Sequence, residues 1–201
     1  MSGLRERKKQ ATREALMTAA LRLAHERGLE RVRVEDIAAE VGVSPRTFNN
    51  YFSSKYEAIA ARHTDRITRS VAALRARPPE EPLWEALTEA MVEPWALART
   101  DVAPDPDVLA SIRMLAEESA LRAESLQAVF AGNSELAAAV AERTGTDPAR
   151  DLYPHLVAVA VGSAAQVAVA HWLRSDPPVP LVPLLREALR ALAAGLPDPS
   201  L

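Results

Sequence analysis

The side chains best suited to chemistry in this 201-residue chain lie close together, between residues 44 and 55. Arg46 carries a planar fork of donors that matches the two acceptors on a guanine edge. The amides of Asn49 and Asn50 match the donor and acceptor that adenine presents. The hydroxyls of Thr47 and Tyr51 suit phosphate oxygens, and Lys55 adds a cation beside the free N–H groups of a helix start. This is binding chemistry directed at a duplex. Catalysis has no comparable cluster: His25, His63, His155 and His171 are scattered, and neither H-E-x-x-H nor G-x-S-x-G occurs. The seven glycines form no phosphate-cradling loop. With no cysteine, a disulfide scaffold, a thiolate metal site and a cysteine nucleophile are excluded. No catalytic residue, metal site or cofactor is expected, and the chain is read as something other than an enzyme.

The elements that must position these side chains are helices. Apolar residues recur at helical spacing throughout, strand-like alternation is missing, and an all-α fold of about nine helices is expected. The segment VEDIAAEVGVSPRTFNNYFSSK, residues 34–55, holds two short helices joined by a tight turn. Helix 2 is expected over 34–41, with Ile37, Ala38 and Val41 inward. Gly42 suits the turn, Ser44 is a good N-cap, and Pro45 is a good first helical residue. Helix 3 is then short, ending near residue 52, with Phe48 plugging the core and Pro45, Arg46, Thr47, Asn49, Asn50 and Tyr51 outward. A long helix over 4–27 packs across both, and Gly28 ends it. Helix 4 follows over about 54–77, capped by Ser53 or Ser54 with Glu57 as the reciprocal residue. This is the geometry of a helix-turn-helix, whose second helix enters the DNA major groove.

Charge agrees with that division. The whole chain carries −3, yet residues 1–52 hold 10 basic and 7 acidic side chains, against 14 and 20 in the remainder. Arg5, Arg7, Lys8, Lys9 and Arg13 concentrate positive charge at the amino end, opposed before residue 14 by Glu6 alone. That cluster reads as a solvated helix start or as an anion-binding surface. Beyond residue 77, proline groups mark breaks between further helices. The most apolar stretch, residues 156–170, contains Ser163 and Gln166 and falls short of the roughly 20 residues that span a bilayer. It is expected to be a buried helix, opening at Pro148 unless Pro154 bends it or displaces its start, and ending near residue 174. The helix over about 181–194 has a broad apolar face. No secretory signal is evident at the amino end, and a cytoplasmic location is expected.

The ordered set Gly28, Ile37, Ala38, Gly42, Val43, Ser44, Thr47, Phe48, Tyr51, Phe52 and Lys55 resembles the TetR family of bacterial regulators. The resemblance is close over about residues 10–59. It implies an amino-terminal three-helix DNA-binding domain, residues 1–53, and a larger helical bundle, residues 54–201, that binds an effector and dimerises. It implies a homodimer on a palindromic operator, released by a small apolar, aromatic or acyl effector, with no membrane partner. A DNA-binding activator or recruiter is the alternative, and a small helical enzyme a remote one. The family usually has threonine where this chain has Arg33, and often an aromatic residue at Asn49. Arg33 is therefore expected to contact phosphate, and Asn49 to read a base. Ser44, Arg46 and Asn50 occupy positions that vary with the operator.

The same resemblance assigns the rest of the chain. An effector pocket is expected between helices 4 and 7, with His63 and Ile67 on helix 4. Trp84, Leu87, Met91 and Trp95 would line it from helix 5, expected to open near residue 83, and Met114 and Leu115 from helix 6, over about 107–118. Leu126, Val129 and Phe130 would close it from helix 7, over about 121–144. The last two helices are expected to form the dimer interface through Val161, Ala165, Ala168, Leu181, Leu185 and Leu189. Periodicity alone reads those two faces equally as core within one chain.

Overall fold

The fold comes from a computed structural model, which describes residues 2–96 and 102–198. Every regular element among the described residues is helical. The elements are α1 (Ser2–Arg27), a 3-10 turn (Leu29–Arg31), α2 (Val34–Val41), α3 (Pro45–Asn49) and α4 (Lys55–Ala76). They continue as α5 (Leu83–Ala96), α6 (Pro106–Glu117), α7 (Ser119–Thr144), α8 (Tyr153–Arg174) and α9 (Leu181–Ala193). The chain divides into two compact units. One comprises Met1–His63 with Ala110–Ala128, the other Thr64–Leu109 with Val129–Leu201. The first unit thus continues past residue 53 into α4 and includes parts of α6 and α7.

In the first unit the helical repeat of α1 decides the core. Leu16, Ala20, Leu23 and Ala24 fall on one stripe and are buried. They pack with Ile37 and Ala38 of α2, Phe48 of α3, Phe52, and Ala58 and Ile59 of α4. Leu115 and Leu121 complete this cluster. Gly42 lies at φ +72°, a left-handed conformation that side chains disfavour, so the chain reverses between α2 and α3 without strain. The N–H groups of Gly42 and Val43 return to the carbonyls of Ala39 and Ala38 at 3.0 and 2.9 Å. α3 is shorter than its sequence pattern implies. It ends at Asn49, and Tyr51 and Phe52 fold back onto the Phe48 carbonyl at 2.8 and 3.0 Å.

The second unit packs Val71 and Leu74 of α4 with Leu87 and Met91 of α5, Leu136 and Val140 of α7, Val157 and Val161 of α8, and Leu189 of α9. Gly132 does not interrupt α7. A Cβ there would lie 2.6 Å from the Ile67 side chain, so glycine permits two helices to approach closely. Arg143, near the end of α7, donates to the carbonyls of Pro78 and Glu81 at 2.5 and 2.7 Å and fixes the turn after α4. Glu89 of α5 pairs with Arg186 of α9 through both carboxylate oxygens.

Pro154 displaces the start of α8, which opens at Tyr153, because Pro154 has no N–H with which to continue a helix begun at Pro148. Residues 147–151 instead form a separate turn, in which the Asp147 side chain accepts from Ala149 N–H at 2.9 Å. Contrary to its sequence expectation, α8 is not buried all round. Val157, Ala158, Val161, Ala168 and Trp172 face the core, while Leu156, Val159 and Val167 are more than half exposed. By length and composition alone it is also the one helix among the described residues that is apolar enough to cross a membrane.

Candidate nucleic-acid interface

The interface begins at Arg33, in the N-cap position of α2 with extended backbone at φ −108° and ψ 158°. Arginine has no acceptor and leaves the first N–H groups of the helix uncapped from its side. Asp36 supplies the opposite half of the box, accepting the Arg33 N–H at 2.9 Å. Glu35 and Asp36 also place negative charge at the positive end of the helix. The Arg33 side chain itself stays exposed. Aspartate three residues into a helix is the signal in the sequence for this cap.

α3 is held at its start by Ser44, whose Oγ accepts from Thr47 N–H at 3.1 Å and lies 2.9 Å from the Thr47 hydroxyl. Pro45 occupies the first turn. Phe48 is fully buried and fixes the rotation of the helix. With that face fixed, Ser44, Pro45, Arg46, Asn49 and Asn50 are exposed, and Thr47 and Tyr51 are half-buried. The five-residue helix and its C-cap residue Asn50 thus expose a guanidinium and two amides. These are the groups that read guanine and adenine edges.

Lys55, half-buried at the start of α4, has a second role that its sequence position does not announce. Its ammonium donates to the carbonyls of Leu29 and Val32 at 2.8 and 3.0 Å, tying α4 to the turn that precedes α2. Two of its three donors are thereby used, and the ammonium also lies 5.3 Å from the centroid of the Tyr56 ring. The start of α4 is capped as its sequence indicates. Ser54 Oγ accepts from Glu57 N–H at 3.0 Å, and the Glu57 carboxylate accepts from Ser53 N–H at 2.6 Å. Arg13 of α1 lies with its guanidinium 5.3 Å from the centroid of the Phe52 ring.

The residues expected to line an effector pocket are dispersed. Leu87 and Met91 are buried in the core of the second unit, with Ile67 and Trp84 packed against them. Trp95 lies beneath the guanidinium of Arg66, 3.9 Å from its ring centroid. Leu115 is buried in the core of the first unit, and Met114 is 71% exposed. The side chains of His63, Leu126, Val129 and Phe130 lie outside the described residues. The dimer-interface expectation needs correction. Val161, Ala168, Leu181, Leu185 and Leu189 are buried within the chain, and Ala165 packs against the same core. α8 and α9 turn these residues toward the interior, which leaves Leu156, Val159 and Val167 of α8 exposed. Among the described residues, no three His, Asp or Glu side chains gather as a metal site.

Two family models match this chain. Residues 16–61 match bacterial regulatory proteins of the tetR family, and residues 81–197 match the MftR C-terminal domain. The HTH-type transcriptional regulator TcmR of Streptomyces glaucescens is 32% identical over 179 residues, covering 87% of this chain and 79% of that protein. The fatty acid degradation regulator FadR of Bacillus halodurans superposes with a TM-score of 0.59 at 18% identity, covering 92% of this chain and 96% of its own. Thermus thermophilus FadR, a repressor solved in complex with lauroyl-CoA, gives a TM-score of 0.55 at 21% identity over 92% and 95% of the two chains. At these identities the solved structures show a shared fold.

Proposed function

The chain belongs to the TetR family of bacterial regulatory proteins, and from this premise we propose that it is a homodimeric repressor that leaves a palindromic operator when a small apolar or acyl effector binds. The observation that carries the reading is the exposed row of Arg46, Asn49 and Asn50 on a helix whose rotation is fixed by a buried Phe48 and whose start is capped by Ser44. Pre-set donors of this kind read bases with little loss of freedom on binding. Arg33 and Lys55 flank the row as phosphate contacts, and Thr47 and Tyr51 add hydroxyls. Asn49 is assigned to a base.

Dimerisation follows from the same use. Two recognition helices must sit about 34–36 Å apart to enter successive major grooves. The exposed apolar side chains of α8, Leu156, Val159 and Val167, are the face assigned to the partner copy. The effector class rests on the apolar character of Ile67, Trp84, Leu87 and Met91. An acyl-CoA bound by a relative of like fold favours the same class. A ligand that binds the released state better than the DNA-bound state shifts the population and frees the operator. Such a protein works in the cytoplasm.

The test is selection from a random-sequence duplex pool at two salt concentrations. An enriched palindrome with steep salt dependence is the expected result. No enrichment by protein that has been unfolded and refolded free of ligand overturns the proposal.

A further inference from the structure

α1 extends well beyond the core it serves. Its first buried side chain is Leu16, and residues 3–11 are exposed throughout. At 1.5 Å per residue, the stretch over 3–15 projects by about 20 Å. Its face is not random. Counting back from buried Leu23, Ala20 and Leu16 at the same spacing of three and four gives Arg13, Lys9 and Arg5. The stripe that is apolar inside the core becomes a column of cations outside it. Lys8 stands three residues from Arg5 and widens the column, and Glu6 is the one acidic residue before Glu14.

The structure also fixes where this column leaves the head. Arg13 lies over Phe52, which directly follows Tyr51, so the column starts beside the end of the recognition segment. Arg5, Lys8 and Lys9 are exposed and make no ion pair among the described residues. The first turn of α1 has no acidic residue, so these cations oppose the positive end of the helix dipole. They weaken the free helix, and a polyanion alongside reverses that effect. Leu4 is the only large apolar side chain on the extension, too little for a lipid surface or an apolar partner helix.

We infer that this extension is a second DNA-binding element, which lays Arg5, Lys8 and Lys9 along the phosphate backbone flanking the half-site read by α3. The inference rests on the regulator reading above. It adds affinity that is independent of base sequence, because phosphate contacts position a protein without specifying bases.

The experiment uses the duplex enriched by the full chain, made once with a helical turn of flanking DNA on each side and once trimmed to the palindrome. The variant carries Arg5→Gln, Lys8→Gln and Lys9→Gln, which remove the charge and keep helix propensity. On the flanked duplex at ~0.1 M salt it is expected to bind on the order of tenfold more weakly or worse. Its plot of log affinity against log salt should be shallower by about 0.9 for each phosphate that is no longer neutralised. On the trimmed duplex the two proteins should converge, and the enriched sequence should not change. A charge-keeping control, Lys8→Arg with Lys9→Arg, should match the parent. Equal slopes on the flanked duplex, or a changed enriched sequence, overturn the inference while the regulator reading stands. If the parent enriches no duplex, both fall, and that outcome is read before any variant is made.

Discussion

In the head, short polar side chains end the helices: Ser44, Asp36 and the Ser54–Glu57 pair each satisfy an N–H group within four residues in sequence. In the second unit local ties such as Asp147 to Ala149 are joined by long ones that reach across the chain. Arg75 pairs with Glu142, Arg143 grips the turn after α4, and Arg186 of α9 meets Glu89 of α5. Local caps set each helix end independently of the rest. Distant ion pairs depend on where the whole bundle places its helices. A surface built on the first plan holds its donors in fixed register. One built on the second can alter its interior by trading partners.

The sharpest way to break this contrast is at the core of the head. Phe48→Ala removes the side chain that fixes the rotation of α3 and should cost about 3–5 kcal/mol in urea unfolding. Operator binding should be lost with it, and a variant that unfolds at parental urea would refute the assigned role of Phe48. Next in size is the outer face of α8. Leu156→Glu with Val167→Glu places charges where the partner copy is assigned, and sedimentation should show monomer with helix content retained. Because both positions are exposed, folding of the single chain should change by about 0.5 kcal/mol or less. A variant that remains dimeric moves the interface elsewhere.

A smaller effect separates stability from function at Arg33. Arg33→Thr supplies the missing acceptor at the α2 start and should raise stability by about 1 kcal/mol. Operator affinity should fall with a shallower salt slope, and unchanged affinity would remove Arg33 from the phosphate contacts. The smallest effect is on pH. The Arg186 guanidinium hydrogen-bonded to Glu89 holds that carboxyl below its ordinary value of 4.5, against the opposing pull of burial. Arg77 and Arg75 lower Glu81 and Glu142 in the same way. A carboxyl depressed on folding contributes stability above its unfolded value, and that stability is lost as pH falls through the folded value. Glu89→Gln should therefore flatten the acid limb of the unfolding curve. Solvent screening keeps the difference under about 1 kcal/mol.

The legibility of the sequence follows the reach of each tie, in the head as well as in the second unit. The bounds of α2, the Ser44–Pro45 start of α3 and the Glu57 cap can be read directly, because each is decided by residues within one turn. The Lys55 tie to Leu29 and Val32 spans more than twenty residues, and no local pattern encodes it. The face of α8 defeats a local reading for a related reason. Its small and branched residues run all round the helix, and its packing in the bundle decides that Val161 and Ala168 turn inward while Val159 and Val167 turn out. The pocket residues are dispersed for the same cause: apolar periodicity marks a buried side without naming the core it joins.

Lys8, Lys9 and Lys55 are the only lysines in the chain. Toward an amine-reactive ester they form two chemical classes. Lys8 and Lys9 are exposed and open to the reagent, and their acylation should slow when DNA covers them. Lys55 keeps its ammonium on two carbonyls in a half-buried site, so a reagent reaches its nitrogen more easily once α4 parts from the turn before α2. Its acylation rate is thus a clock for the opening of the head. A modification that captured Lys55 in that moment would block the two carbonyl bonds from re-forming, making a transient opening permanent.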